Sequence, residues 1–221
     1  MEQTIKESAD AALIIDCDYD GFGSAALLTN YLHDYDPDWT NNHLTYFFHS
    51  GKQHGLDDHI DTLLKNQYKL ILVPDAGSND IDSCEKLSNQ GKQIIILDHH
   101  ICENENPYAI VINTENSDYP NKALCGCGVT WQFCRYLDEI HNLNYADKYI
   151  DLVAITLISD MMDIRSIETR HLITKGLRNL ENPFIITMKE KNSYSIGNEL
   201  TPINAAFYIV PFVNCVMRSG T

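Results

Sequence analysis

Short, densely apolar runs that alternate with stretches of helical spacing constrain this chain more than any other feature. Ala11–Cys17 reads as a buried strand, and His43–His49, Lys69–Pro74, Gln93–Leu97 and the short Ala109–Asn113 as four more. Between them, Phe22–Tyr35 sets Ala25, Leu28, Leu32 and Tyr35 at helical intervals. Leu56–Asn66 and Asp80–Gln90 read the same way, the latter stopping at Gly91. Parallel strands need crossovers, and helices then cover both sheet faces. The expectation is an α/β fold: a five-stranded, mostly parallel sheet flanked by helices up to about residue 115. Beyond it the period changes. Cys127–His141, Tyr145–Ser159 and Glu168–Asn179 read as helices, a helical C-terminal part with no repeat or low-complexity linker.

In such sheets ligands gather beyond the carboxyl ends of the strands. The first strand leads into Asp16-Cys17-Asp18-Tyr19-Asp20, the third into Asp75-Ala76-Gly77 and the fourth into Asp98-His99-His100. Asp160 closes the apolar stretch LVAITLIS. Taken singly, Asp-x-Asp or Asp-Ala-Gly after a strand is more often a turn or helix cap, and a His-His pair is as often plain surface. Together they converge on one edge, where unpaired carboxylates would repel and raise one another's pKa. Divalent cations remove that repulsion. Oxygen ligands with an imidazole suit Mn²⁺, Mg²⁺ or Fe²⁺ better than a sulfur-rich zinc site. Two such ions can clamp a phosphoryl oxygen and convert a shared water to hydroxide. The residues alone point to metal-assisted phosphoester hydrolysis.

Charge agrees with a need for cations. Thirty-one acids face 16 bases, a formal net charge of −15. From Met1 to Gly51, Lys6 is the only base against nine acids. A general nucleic-acid-coating protein is excluded on that ground. No run reaches the roughly 18–20 apolar residues of a membrane span, and the polar start MEQTIKESAD is no secretory signal. Seven scattered cysteines, an odd number, read as reduced thiols in a cytoplasmic protein. Cys125-x-Cys127 lacks a second pair for a zinc site.

Asp98-His99-His100 after an apolar strand resembles the motif of the DHH phosphoesterase superfamily, and the chain resembles the catalytic core of RecJ-type single-strand exonucleases. Further family blocks are matched by Asp18-Tyr19-Asp20 with Gly23-Ser24, by Val73-Pro74-Asp75-Ala76-Gly77, and by Leu124–Thr130. Asp151–Asp160, Glu168-Thr169-Arg170, Gly176-Leu177 and Pro202–Ala206 match later ones, so the likeness runs from about Leu13 to about Ala206.

The resemblance implies two divalent cations, Mn²⁺ preferred and Mg²⁺ possible. Asp20, Asp75, His99 and Asp160 would hold one, Asp18 and Asp75 the other, with Asp16 a further ligand. His100, with Asp98, would contact the scissile phosphate or assist the leaving group. Gly126 and Gly128, opening a helix, would offer backbone N–H groups to a phosphate. Lys52, in a loop with His49 and His54, is the nearest base.

The function implied is a metal-dependent phosphodiesterase, a RecJ-like 5′→3′ single-stranded-DNA exonuclease core of DNA repair. A short-oligonucleotide phosphatase and a non-catalytic docking module for replication or repair proteins are the alternatives. Residues 1–206 would form the core and 207–221 a C-terminal segment. The family's C-terminal substrate-binding domain is not in this sequence, so a partner chain or further domain would complete the substrate groove.

Overall fold

The computed structural model describes residues 1–49 and 54–218. Its five strands are β1 (Ala11–Ile15), β2 (Leu44–Phe48), β3 (Leu70–Pro74), β4 (Gln93–Asp98) and β5 (Ile110–Asn113). They form one sheet in the order β2-β1-β3-β4-β5, and every pairing is parallel. The central strand β1 is apolar throughout because both its faces are covered. Ala11, Leu13 and Ile15 enter one core cluster, while Ala12 and Ile14 enter the cluster on the opposite face. With both faces covered, no alternate position of β1 can be polar, whereas the edge strands β2 and β5 are partly exposed.

The helices are α1 (Glu2–Lys6), α2 (Tyr19–Tyr35), α3 (Pro37–His43), α4 (Ile60–Lys65), α5 (Ile81–Ser88), α6 (Gly126–His141), α7 (Ile150–Ser159), α8 (Ile167–Arg178), α9 (Pro183–Lys191), α10 (Ser193–Ile196), α11 (Pro202–Tyr208) and α12 (Val210–Arg218). Side chains of α2, α6, α7 and α8 build the larger cluster; α4 and α5 contribute to the smaller. The expected segment boundary after residue 206 falls inside α11. No described helix is long and apolar enough to cross a membrane.

Two features of this packing position the chemistry. First, α2 starts at Tyr19, three residues before its apolar periodicity, because the Asp18 side chain caps it by accepting the Gly21 N–H at 3.1 Å. Asp20 therefore lies in a helical first turn. Second, α7 is buried from Ile150 to Leu157, which explains its lack of a polar face. A Cβ on Gly23 would fall 2.2 Å from Thr156 Cγ2, so only glycine lets α2 approach α7 this closely. The rigid rod α7 then ends in Asp160, its C-cap, at the carboxyl edge of the sheet.

Candidate metal centre

At that edge, ligand atoms of Asp20, His99 and Asp160 lie within 4.8 Å of one another, as do those of Asp16, Asp18 and Asp75, and those of Asp75, His99 and His100. Five segments deliver them: Asp16 after β1, Asp18 and Asp20 at the start of α2, Asp75 after β3, His99 and His100 after β4, and Asp160 after α7. The His99 Nε2 atom is 3.3 Å from Asp75 Oδ1, 3.6 Å from Asp20 Oδ2 and 3.8 Å from Asp160 Oδ2.

Asp75 is the most constrained of the set. Its backbone is left-handed, φ 72°, and its N–H donates to Leu97 O at 2.7 Å. The side chain is buried, yet Oδ1 receives no hydrogen bond. A buried oxygen left unpaired costs roughly 1–3 kcal/mol, more when charged, so a native structure needs a reason for it. Burial, and next the carboxylates of Asp20 and Asp18, push the Asp75 carboxyl well above the usual range. Burial followed by Asp20 likewise pushes Asp160 up to about 6, against the opposing pull of His99. Carboxylate oxygens plus one imidazole, with an oxygen unsatisfied and two carboxyls destabilised as anions, fit a hard divalent cation.

Asp20 is oriented by the start of α6. Gly126 N donates to its Oδ2 at 2.6 Å and Cys127 N to its Oδ1 at 2.9 Å, donors that a helix N-terminus leaves free. Gly126 serves a second purpose: a Cβ there would lie 2.2 Å from Asp75 Oδ1. This corrects the expectation that Gly126 and Gly128 hold a substrate phosphate. The Gly126 donor is engaged by the chain's own carboxylate, and Gly128 is buried, its N–H turned to the Cys125 side chain. Cys125 and Cys127 are buried thiols whose pKa burial pushes up, packing groups beside Thr156.

Asp98 is engaged by its own segment. Its Oδ1 accepts from His99 N at 2.7 Å, His100 N at 3.1 Å and His100 Nδ1 at 2.8 Å, and its Oδ2 from Ser78 N at 3.0 Å. Burial alone would raise its pKa, but the bonds from His100 and Ser78 outweigh that and hold it below the ordinary range. The hydrogen bond to Asp98 raises His100 to about 9. With Nδ1 held, the half-exposed His100 ring keeps Nε2 for other work.

Ser78 and Asn113 carried no sequence signal strong enough to assign them a role, whereas His54 was marked only by its loop's facing this sheet edge. His54 Nδ1 lies 2.7 Å from both oxygens of Asp16, which also takes the Cys17 N–H at 2.7 Å. Asp16 is thus partly spoken for, unlike Asp75. Asn113 Nδ2 donates to Ser78 Oγ at 3.0 Å and His100 O at 2.9 Å, bracing the DHH segment from behind; an Asn closing an apolar strand was its one trace in the sequence. A cavity of about 920 Å³ opens beside β5, with Ser78 and Asn113 among its lining residues. Lys52 lies outside the described residues.

Comparison with known proteins gives the family and the fold. Residues 11–157 match the model of the DHH family, N-terminal domain. The SPbeta prophage-derived protein YorK of Bacillus subtilis strain 168, named as a single-strand DNA-specific exonuclease, is 36% identical over 208 residues, covering 94% of this chain and 35% of YorK. The chain therefore spans about a third of that relative's length. Among solved structures, exonuclease RecJ bound to manganese superposes with a TM-score of 0.83 at 21% identity, over 99% of this chain and 56% of the other. RecJ of Thermus thermophilus in complex with Mn²⁺ gives 0.81 at 22% identity, over 99% and 32%. At that identity the likeness speaks for the fold: a RecJ-like core.

Proposed function

This chain belongs to the DHH family, and on that footing we propose that its acidic centre hydrolyses phosphodiester bonds of single-stranded DNA, cutting inward from the 5′ end. The observation that carries the reading is the buried, unsatisfied Asp75 Oδ1 at the meeting point of Asp18, Asp20, His99 and Asp160. Asp20, Asp75, His99 and Asp160 would hold one divalent cation, Mn²⁺ by preference or Mg²⁺, and Asp18, Asp75 and Asp16 a second. Such a cation pair, when bound, supplies Lewis acidity and lowers the pKa of water. The chain's own part is orientation and proton handling. Asp20 is fixed by α6, Asp75 by its strained backbone, and Asp98 keeps a proton on His100 at neutral pH. From there His100 Nε2 would hydrogen-bond a phosphoryl oxygen and release its proton to the leaving oxygen.

A second reading, cleavage of short oligonucleotides, is favoured by charge. Two dications bring −15 only to −11, which leaves a long polyanion little support outside the centre. A partner chain or further domain supplying that support reconciles the first reading with the charge. The test is turnover with Mn²⁺ or Mg²⁺ of 5′-labelled single-stranded DNA, a 20-mer, beside a dinucleotide. Faster turnover of the 20-mer favours the exonuclease, faster turnover of the dinucleotide the second reading. No phosphoester cleaved, with metal binding verified by calorimetry, overturns both.

A further inference from the structure

Phe22 and Phe48 meet on the β2 side of the acidic centre, in a place their neighbours make informative. Phe48 is the last residue of β2 and pairs in register with Ile15, the residue before Asp16. Phe22 lies two residues past Asp20 in α2. Their ring centroids are 5.9 Å apart, tilted by 35°, within the range of offset aromatic pairs. The two rings are not equivalent. Phe22 is partly buried against the core, whereas Phe48 is 56% exposed. Phe47, pointing to the other face, is packed against His59 and Tyr68, so exposure is not general at this end of β2. Tyr46, two residues back on the Phe48 face, is also exposed and lengthens the strip.

We infer that Phe22 and Phe48 form a stacking platform for a nucleobase, the base adjacent to the phosphodiester held at the centre. The inference rests on the single-strand reading above and goes beyond it by assigning where a base sits and what holds it. Three arguments support it. The anchored Phe22 ring fixes Phe48 so that it presents an aromatic surface without losing a mobile side chain's entropy on binding. The strand order sets this platform on one flank of the β1 and β3 ends and the Asp98–His100 pair, on β4, on the other. A phosphate between them would have a base on one side and an imidazole on the other.

Charge supplies the third argument. A chain with −15, and only Lys6 as a base from Met1 to Gly51, cannot rely on neutralising phosphates there. Stacking on an aromatic needs no opposite charge and accepts any base. Recognition would therefore depend on the presence of a base more than on its identity.

The experiment uses the full chain with Phe48→Ala, Phe48→Leu and Phe48→Trp, each checked by thermal melting. A 2-aminopurine dinucleotide is titrated with Ca²⁺ present, read by fluorescence, and KM is measured with Mn²⁺ on a normal dinucleotide and on one with an abasic residue. The wild type should quench 2-aminopurine. Phe48→Ala and Phe48→Leu should lose the quenching and raise KM for the normal dinucleotide about 5- to 150-fold, and Phe48→Trp should restore both. The penalty should shrink on the abasic dinucleotide. Hydrolysis with no quenching, or equal KM across the variants, overturns the platform and leaves the phosphodiesterase reading intact. Quenching lost in Phe48→Ala without any hydrolysis supports the platform and counts against the hydrolytic reading; neither quenching nor hydrolysis overturns both.

Discussion

Replacing Asp75 by Asn should stabilise the metal-free protein, although it removes a carboxylate at the heart of the proposed metal centre. In the fold, burial and the carboxylates of Asp20 and Asp18 raise the Asp75 pKa well above its ordinary value. A folded pKa above the unfolded one means that the native state binds more protons between the two. Stability is then full below about pH 4 and declines as pH rises, by about 1.4 kcal/mol per pH unit, until the folded pKa is reached. At pH 7 the loss attributable to this group cannot exceed about 4 kcal/mol, because a carboxyl with a still higher pKa simply stays protonated. Asn is never ionised, and it is among the residues that tolerate a left-handed backbone such as φ 72°. Its amide can also donate toward Asp20. Urea unfolding in EDTA at pH 4 to 7.5 should show no advantage for Asp75→Asn at pH 4 and one that grows to between about 1 and 4 kcal/mol at pH 7. Mn²⁺ at a hundred times its Kd should add about 2.7 kcal/mol to the wild type and almost nothing to the variant. A metal-free variant no more stable than wild type at pH 7 would refute the claim that Asp75 is an electrostatic liability awaiting a cation.

Gly126→Ala should cost about 1–3 kcal/mol by overpacking despite alanine's better helix propensity, because its Cβ meets the Asp75 carboxyl at 2.2 Å; calorimetry should show weaker Mn²⁺ binding as well. By NMR of the metal-free protein, His100 should titrate at about 9, and Asp98→Asn should return it toward about 6.5. The His100 contribution to stability is then present below about 6.5 and lost as pH rises through about 9, and the variant should lack that decline. Asp16→Asn should weaken Mn²⁺ binding less than about tenfold and Asp20→Asn more than about a hundredfold, since an imidazole, His54, competes for both Asp16 oxygens, whereas the backbone N–H groups on Asp20 hold it toward His99 and Asp160; equal losses in calorimetry would make Asp16 a full ligand.

Much of the architecture is local and so was legible along the chain. All five apolar runs became strands with ends within two residues of expectation, and β1 and β3, covered on both faces, are apolar at every position. Helix starts were less legible where function displaces the apolar pattern. The first turn of α2 carries Asp20, and its cap Asp18 is itself a ligand candidate, so the periodicity begins only at Phe22. The unforeseen α3, α9 and α11 had local signals after all: Asp36, Asn182 and Thr201 cap them, each followed by proline.

By itself, then, the sequence determined the parallel β-α half and the acids and imidazoles gathered at one edge of it, because strand ends and apolar periods are properties of neighbours in the chain. Only tertiary structure decided how those groups divide their labour. Gly126 and Asp20 are 106 residues apart, and His54 and Asp16 are 38 apart. Whether a glycine N–H faces a phosphate or a carboxylate, or an aspartate an ion or a histidine, depends on how α6 and the loop after β2 settle against the sheet. Packing between distant segments sets that, and no pattern along the chain records it.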